Sequence, residues 1–243
     1  MQQPSFRGGF TLLELLVVIA IIAAVAALSV PVMTKAFGVA AETQCISNLR
    51  SMTQANAAYT VDFKRRFPAG HGHDVWFLNV VGARGATSSS INRDADRRVL
   101  NPYLDGAVEV AVCPLDRGTT RAGSSTIAAL WGTSYSYVDN GAATSLRRTL
   151  NGIWSLEGFG LNDVSSPATK SVFTDYIHHR SLAESEQHAW HGVEKGHLRT
   201  GMGFVDGHAE TVRMKVEPTV LNPPLVRHSF GEIEAMAKSD PYY

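Results

Sequence analysis

Apolar positions follow two rhythms along this chain. From position 10 to position 33 nearly every residue is apolar or small, interrupted by Thr11, Glu14, Ser29 and Pro31. A run with no polar face predicts a helix surrounded by apolar material on all sides. At about 1.5 Å of rise per residue it reaches about 36 Å, enough to cross a hydrocarbon layer of roughly 30 Å. Beyond Pro31 the rhythm changes. Cys45, Leu49, Met52, Asn56, Tyr59 and Phe63 recur at intervals of three and four, which is one helical stripe. The stripe predicts an amphipathic continuation over 34–66 that packs on a folded head, with Phe67-Pro68-Ala69-Gly70 as its stop. Pro31 deletes a backbone hydrogen bond within the helical run, so it either kinks the helix or ends the span.

Further along, short runs bounded by turn residues predict strands at 107–113, 133–139, 170–176, 202–205 and 209–214. The last two flank Asp206-Gly207, a dipeptide that favours a two-residue hairpin turn because glycine tolerates positive φ. Asp206, Gly207 and His208 therefore read as a structural turn motif, with the Asp206 and His208 side chains hydrogen-bonding around it. The Gly-, Ala- and Ser-rich stretch 82–91 reads as a surface loop, and 93–98 as a solvated charge cluster. The fold class that results is α+β, a long amino-terminal hydrophobic spine helix on a small antiparallel sheet. It divides into a short leader (1–9), a membrane-spanning helix (10–33), an amphipathic continuation (34–66) and a globular head (67–243).

Composition narrows the function classes. The 243 residues allow one head of ordinary size beside the helix. Lysine plus arginine equal aspartate plus glutamate at 22 each, so no global basic field draws nucleic acid. Arg7 is the single charge of the leader, and positive charge tends to stay cytoplasmic, which directs the head outward. Alanines 23, 24, 26 and 27 would suit an ordinary signal peptide. Against that stands Glu14. An ionisable group within a span costs roughly 2.5 kcal/mol or more near the centre and usually marks a function. Placed four residues after Phe10, it shares a helical face with it and suggests a pairing role.

The run Arg7-Gly8-Gly9-Phe10-Thr11-Leu12-Leu13-Glu14-Leu15-Leu16-Val17-Val18-Ile19-Ala20-Ile21-Ile22 resembles the prepilin cleavage and methylation signal of type IV pilins and type II secretion pseudopilins. The resemblance implies cleavage between Gly9 and Phe10 by the prepilin peptidase, methylation of the new Phe10 amine, and docking of Glu14 against the terminal amine of a neighbouring subunit. A carboxylate and an ammonium buried apart are each penalised, whereas a well-made pair rewards one register. Pilin-like proteins often carry a proline near position 31. The implied partners are the peptidase, identical or related subunits, an inner-membrane assembly platform and membrane lipid. The implied location is the bacterial inner membrane, single-pass with a cytoplasmic amino terminus and a periplasmic head, and then an extracytoplasmic filament. Cys113-Pro114-Leu115-Asp116, Thr133-Ser134-Tyr135-Ser136-Tyr137 and Phe204-Val205-Asp206-Gly207-His208 look like large pilin-like proteins whose tails carry a histidine and an Asp-Gly motif. That pattern places nine residues between the two, whereas His197 and Asp206 enclose eight.

No catalytic set assembles from the sequence, and the expectation is a mechanical protein, not an enzyme. Nucleophile-elbow, P-loop and dinucleotide glycine signatures are absent. The rival is a membrane-tethered binding or metal-dependent enzymatic head that draws on His71, His73, His178, His179, His188 and His191 with Asp175 or Asp206. Its histidines lack the His-Glu-x-x-His pattern, and no cysteine pair has zinc spacing, so no metal ligand is assigned. Calcium is the one cofactor considered, through Asp116, Asp139 and Asp206, but turn aspartates explain these better than an acidic loop does. Cys45 and Cys113 form either a disulfide in an oxidising compartment or two buried thiols.

Overall fold

The structure is a computed structural model that describes residues 11–68, 78–87, 92, 94–118, 126–137, 160–164, 166–176, 190–194 and 197–215. The leader, Gly9 and Phe10 lie outside the described residues. So do Asp139 and five of the histidines named above, His71, His73, His178, His179 and His188. The chain divides into two compact units, Met1–Ala40 and Ala41–Tyr243.

A single helix, α1 (Leu12–Asp62), runs through both the apolar stretch and the amphipathic stripe. It continues through Pro31. Ser29 and Thr34 turn their hydroxyls back to the carbonyls of Val25 and Val30, so neither leaves an unsatisfied polar group on an apolar helix. The described side chains of the first unit stand exposed, Leu12, Leu28 and Phe37 among them. From Cys45 the stripe turns inward: Cys45, Leu49 and Met52 are fully buried and Asn56 nearly so, while Phe63 at the end stays half exposed. The helix stops at Asp62, short of the expected residue 66. Lys64 and Arg65 take left-handed backbone, and the Arg65 amide returns to the Thr60 carbonyl, a left-handed helix cap built without glycine.

The head is an antiparallel sheet of five strands, β1 (Tyr135–Tyr137), β2 (Ser171–Asp175), β3 (Val193–Glu194), β4 (His197–Phe204) and β5 (Ala209–Lys215). Strand β4 pairs with three others, with β5 from His197↔Lys215 to Gly203↔Ala209, with β2 at its far end and with β3 at its start. Every residue of β1 and β2 is buried, the polar Ser136, Ser171, Thr174 and Asp175 included. The β4–β5 connection differs from the expected two-residue turn. The Gly207 amide returns to Phe204 and the Phe204 amide takes the His208 carbonyl, so Val205, Asp206 and Gly207 form a three-residue loop with Gly207 at φ +95°. This is a turn closed by a left-handed glycine, the next commonest hairpin after the two-residue kind.

Two other expectations are corrected. Segment 107–113 is no strand; Val108–Ala111 forms a 3₁₀ turn, because the carbonyls of Leu104 and Gly106 capture the amides that a ladder would use. Nor is 93–98 uniformly solvated: Arg98 is fully buried, its guanidinium donating to the carbonyls of Leu78, Val81 and Trp131. The expected surface loop at 82–91 begins on buried Gly82, whose amide and carbonyl are both held by the Asn101 side chain. A helix α2 (Ile127–Trp131) and strand β3 had no distinct signal in the hydrophobic pattern, being only one turn and two residues long.

Strand β4 lies against α1 through missing side chains. Leu49 and Thr53 occupy the space that β-carbons on Gly201 and Gly203 would need: the first would sit 2.7 Å from Leu49 Cδ1, and the second would overlap Thr53 Cγ2. Gly203→Ala is therefore expected to destabilise the head by about 1–3 kcal/mol in chemical denaturation, the usual cost of overpacking. Adding Thr53→Ala should recover part of that loss. Additive losses in the double variant would show that the two residues do not share this contact.

Candidate functional site

The amino-terminal site begins with Thr11 and Glu14. Thr11 precedes the first helical residue and Glu14 is the third within the helix. The Thr11 amide and hydroxyl both donate to Glu14 Oε2 at 2.8 Å, and the Glu14 amide donates to Thr11 Oγ1 at 3.2 Å. This is a reciprocal capping box, and it accounts for two amides that a helix start leaves without partners. The Thr-x-x-Glu spacing announces it in the sequence, a signal the reading of Glu14 as a pairing carboxylate did not use. Cap and charge are compatible, because one oxygen closes the cap and the other remains free to receive a cation. Around it α1 is long and apolar enough to cross a membrane.

In the head, several polar residues singled out in the sequence hold turns. Asp116 accepts from the amides of Gly118, Ile127 and Ala128 and from the Ser134 hydroxyl at 2.7–3.0 Å. Two donors on each oxygen fill its acceptor sites, so the carboxylate serves the start of α2 and has no room for a calcium ion. Asp206 Oδ1 accepts from the His208 amide and lies 2.5 Å from His208 Nδ1, and the His208 ring stacks on Phe204 at 4.3 Å. The Thr53 hydroxyl of α1 donates to the Gly207 carbonyl and ties this turn to the helix. His197 opens β4 opposite Lys215.

Residues far apart in sequence meet beneath α1. Cys45 and Cys113 are joined in a disulfide, with Cα atoms 5.2 Å apart and a sequence separation of 68. Beside it, His191 Nε2 lies 3.9 Å from Cys113 Sγ and 3.3 Å from Asp175 Oδ2. Asp175 is held in turn by the Gly201 amide at 2.6 Å and the Thr200 hydroxyl at 3.2 Å. Arg199 pairs with Glu42 of α1, which also accepts from Thr211. Asp175 and His191 are both buried, and Asp175 Oδ1 and His191 Nδ1 find no hydrogen-bond partner among the described residues. Of the histidine and aspartate set considered for a metal site, the structure brings His191 and Asp175 together. The cysteines joined them through the fold alone, with no sequence spacing to announce it.

The pair has a pH consequence. Burial pushes the His191 pKa down, but the hydrogen bond His191 donates to Asp175 and that carboxylate's charge, with that of Glu42, outweigh burial and raise it above the ordinary 6.5, Arg199 opposing. A base whose folded pKa is raised stabilises the fold fully below its unfolded value and loses that contribution as pH rises through the folded value. The thermal midpoint of the head should therefore fall as pH is raised from the acid side of 6.5 to the alkaline side. Asp175→Asn should flatten that slope; an unchanged slope in this variant would exclude the pair as its source.

Set beside known proteins, the chain matches at its amino terminus. No curated protein and no solved structure matches it. Residues 5–30 match the family described as the prokaryotic N-terminal methylation motif, so this segment, with Glu14 at the start of its apolar helix, is a type IV pilin-like signal.

Proposed function

We propose that this protein is a structural subunit of a type IV pilus-like or type II secretion pseudopilus filament, with no catalytic role. The observation that carries the reading is a methylation motif opening the exposed, apolar first stretch of α1, in which Glu14 is the one carboxylate. Before assembly the apolar stretch of α1 holds the subunit in the inner membrane, amino terminus inside and head in the periplasm. The prepilin peptidase cuts after Gly9 and methylates Phe10, and the assembly platform then draws the helix out of the lipid. In the filament the same side chains exchange lipid contacts for contacts with neighbouring helices. Glu14 receives the Phe10 amine of an adjacent subunit. Away from water that pairing removes two large desolvation penalties at one register and leaves both in place at any other.

Two measurements test this. Intact-mass and amino-terminal peptide mass spectrometry on protein from host membranes should find a chain that begins at Phe10 and carries one added methyl group. A chain that retains Met1, or one cut after an alanine near residue 27, would sink the proposal. The capping box separates the two duties of Glu14, since glutamine serves the cap as well as glutamate does. Glu14→Gln should be processed and folded yet fail to enter filaments, whereas its incorporation at the wild-type level would remove Glu14 as the docking carboxylate.

A further inference from the structure

The cluster beneath α1 has the composition of a soft-metal site. Cys45 Sγ, Cys113 Sγ and His191 Nε2 all lie within 4.8 Å of one another, and all three residues are buried. Asp175 Oδ2 is 3.3 Å from the same imidazole nitrogen. Tetrahedral zinc binds nitrogen and oxygen at about 2.0–2.2 Å and sulfur at about 2.3 Å, so neighbouring ligand atoms stand about 3.3–3.8 Å apart. The nitrogen–oxygen separation already equals such an edge, and the sulfur–nitrogen separation of 3.9 Å exceeds one by little. Two sulfurs and one imidazole nitrogen make a three-ligand set for a thiophilic divalent cation, with the Asp175 carboxylate beside the imidazole and outside the mutually close group.

We propose that the disulfide and a zinc-class ion are alternative occupants of this place, and that reduction converts the Cys45–Cys113 bond into a buried metal site of two thiolates and His191, with Asp175 beside the imidazole. The chemistry balances with a dithiol as reductant. The dithiol delivers two electrons and two protons to the Cys45–Cys113 bond, which opens to two thiols while the reductant closes to its own disulfide. The cation then displaces the two thiol protons and the Nε2 proton of His191 to solvent, while the ring keeps its proton on Nδ1. Asp175 stays anchored by the Gly201 amide and Thr200 hydroxyl, which orient its carboxylate toward the ring. Because oxidation takes both sulfurs, the oxidised chain offers only the His191–Asp175 pair and binds such an ion weakly. The inference concerns the head alone and stands independently of the filament reading.

Cobalt(II) reports the site, since thiolate ligation gives it intense charge-transfer absorption and a tetrahedral field gives it strong visible bands. Full-length protein in detergent, reduced with a dithiol that is then removed under anaerobic conditions, should take up one equivalent of cobalt(II) with both features and release it to zinc(II). Oxidised protein should show neither. His191→Ala should weaken binding at least tenfold, and Asp175→Asn should weaken it less, with both variants keeping the wild-type circular dichroism in the oxidised form. If reduction loosens the head, zinc(II) should restore the near-ultraviolet dichroism of the wild type but not that of His191→Ala. Reduced wild-type protein without the charge-transfer band, or a His191→Ala variant that binds as tightly, would overturn the proposal.

Discussion

The arrangement of the head depends on how closely α1 approaches β4. A helix and a strand can meet backbone to side chain only where one contributes no β-carbon, and Gly201 and Gly203 do this on the strand face opposite Leu49 and Thr53. Alternate residues of a strand share a face, so Arg199 belongs to the same row and reaches Glu42 further up the helix. The row thus fixes register twice, by contact at the glycines and by charge at the arginine. A slip of one residue would turn both glycines away and drive Thr200 or Met202 into the helix. Around this seam lie the disulfide, the Tyr135 hydroxyl on the Cys45 carbonyl and the Thr53 hydroxyl on the Gly207 carbonyl. Each joins the 45–53 stretch of α1 to a different part of the head.

Glu14 shows how one side chain satisfies two physical demands in sequence. An isolated subunit must close the start of an unusually apolar helix, and a carboxylate three positions into the helix does so with Thr11. The proposed filament must bury the same carboxylate, and burial without a counter-charge is what lipid and protein interiors both refuse. A residue chosen for only one of these duties could be neutral or could sit elsewhere. A charged group at this place meets both.

The fold was legible where periodicity is long and illegible where distance in sequence is large. The α1 stripe was readable because six positions repeat a helical spacing over five turns' worth of chain, and the burial of Cys45, Leu49, Met52 and Asn56 follows it. The β4–β5 hairpin was readable from its flanking strands, although the turn type was not, since Asp-Gly serves a two-residue and a three-residue loop alike. Segment 107–113 misled because Val and Ala alternate there as in a strand, while local amide–carbonyl closure won. Arg98 misled in the opposite sense. A charge run reads as surface, yet one guanidinium can be buried where three carbonyls converge to take its donors. In the processing segment every informative residue is contiguous, so the sequence carries the signal outright. The His191–Asp175–disulfide cluster is drawn from four distant segments, and no spacing rule reaches across a fold.

Part of the head's buried polarity lies at the seam with α1, and that part suits the role proposed for the helix. A core of leucine and valine holds a helix against a sheet but tolerates small slides, because apolar contacts of similar area are available in neighbouring positions. Buried hydrogen bonds tolerate none, since a displaced donor or acceptor loses its partner without regaining water. Asn48 on the Val112 carbonyl, Tyr135 on the Cys45 carbonyl and Thr53 on the Gly207 carbonyl each specify one position of the helix on the head. For an enzyme such rigidity would serve a catalytic geometry. For a subunit whose helix packs among copies of itself, it makes every head take the same position on its own helix, which a regular filament requires of each of its members.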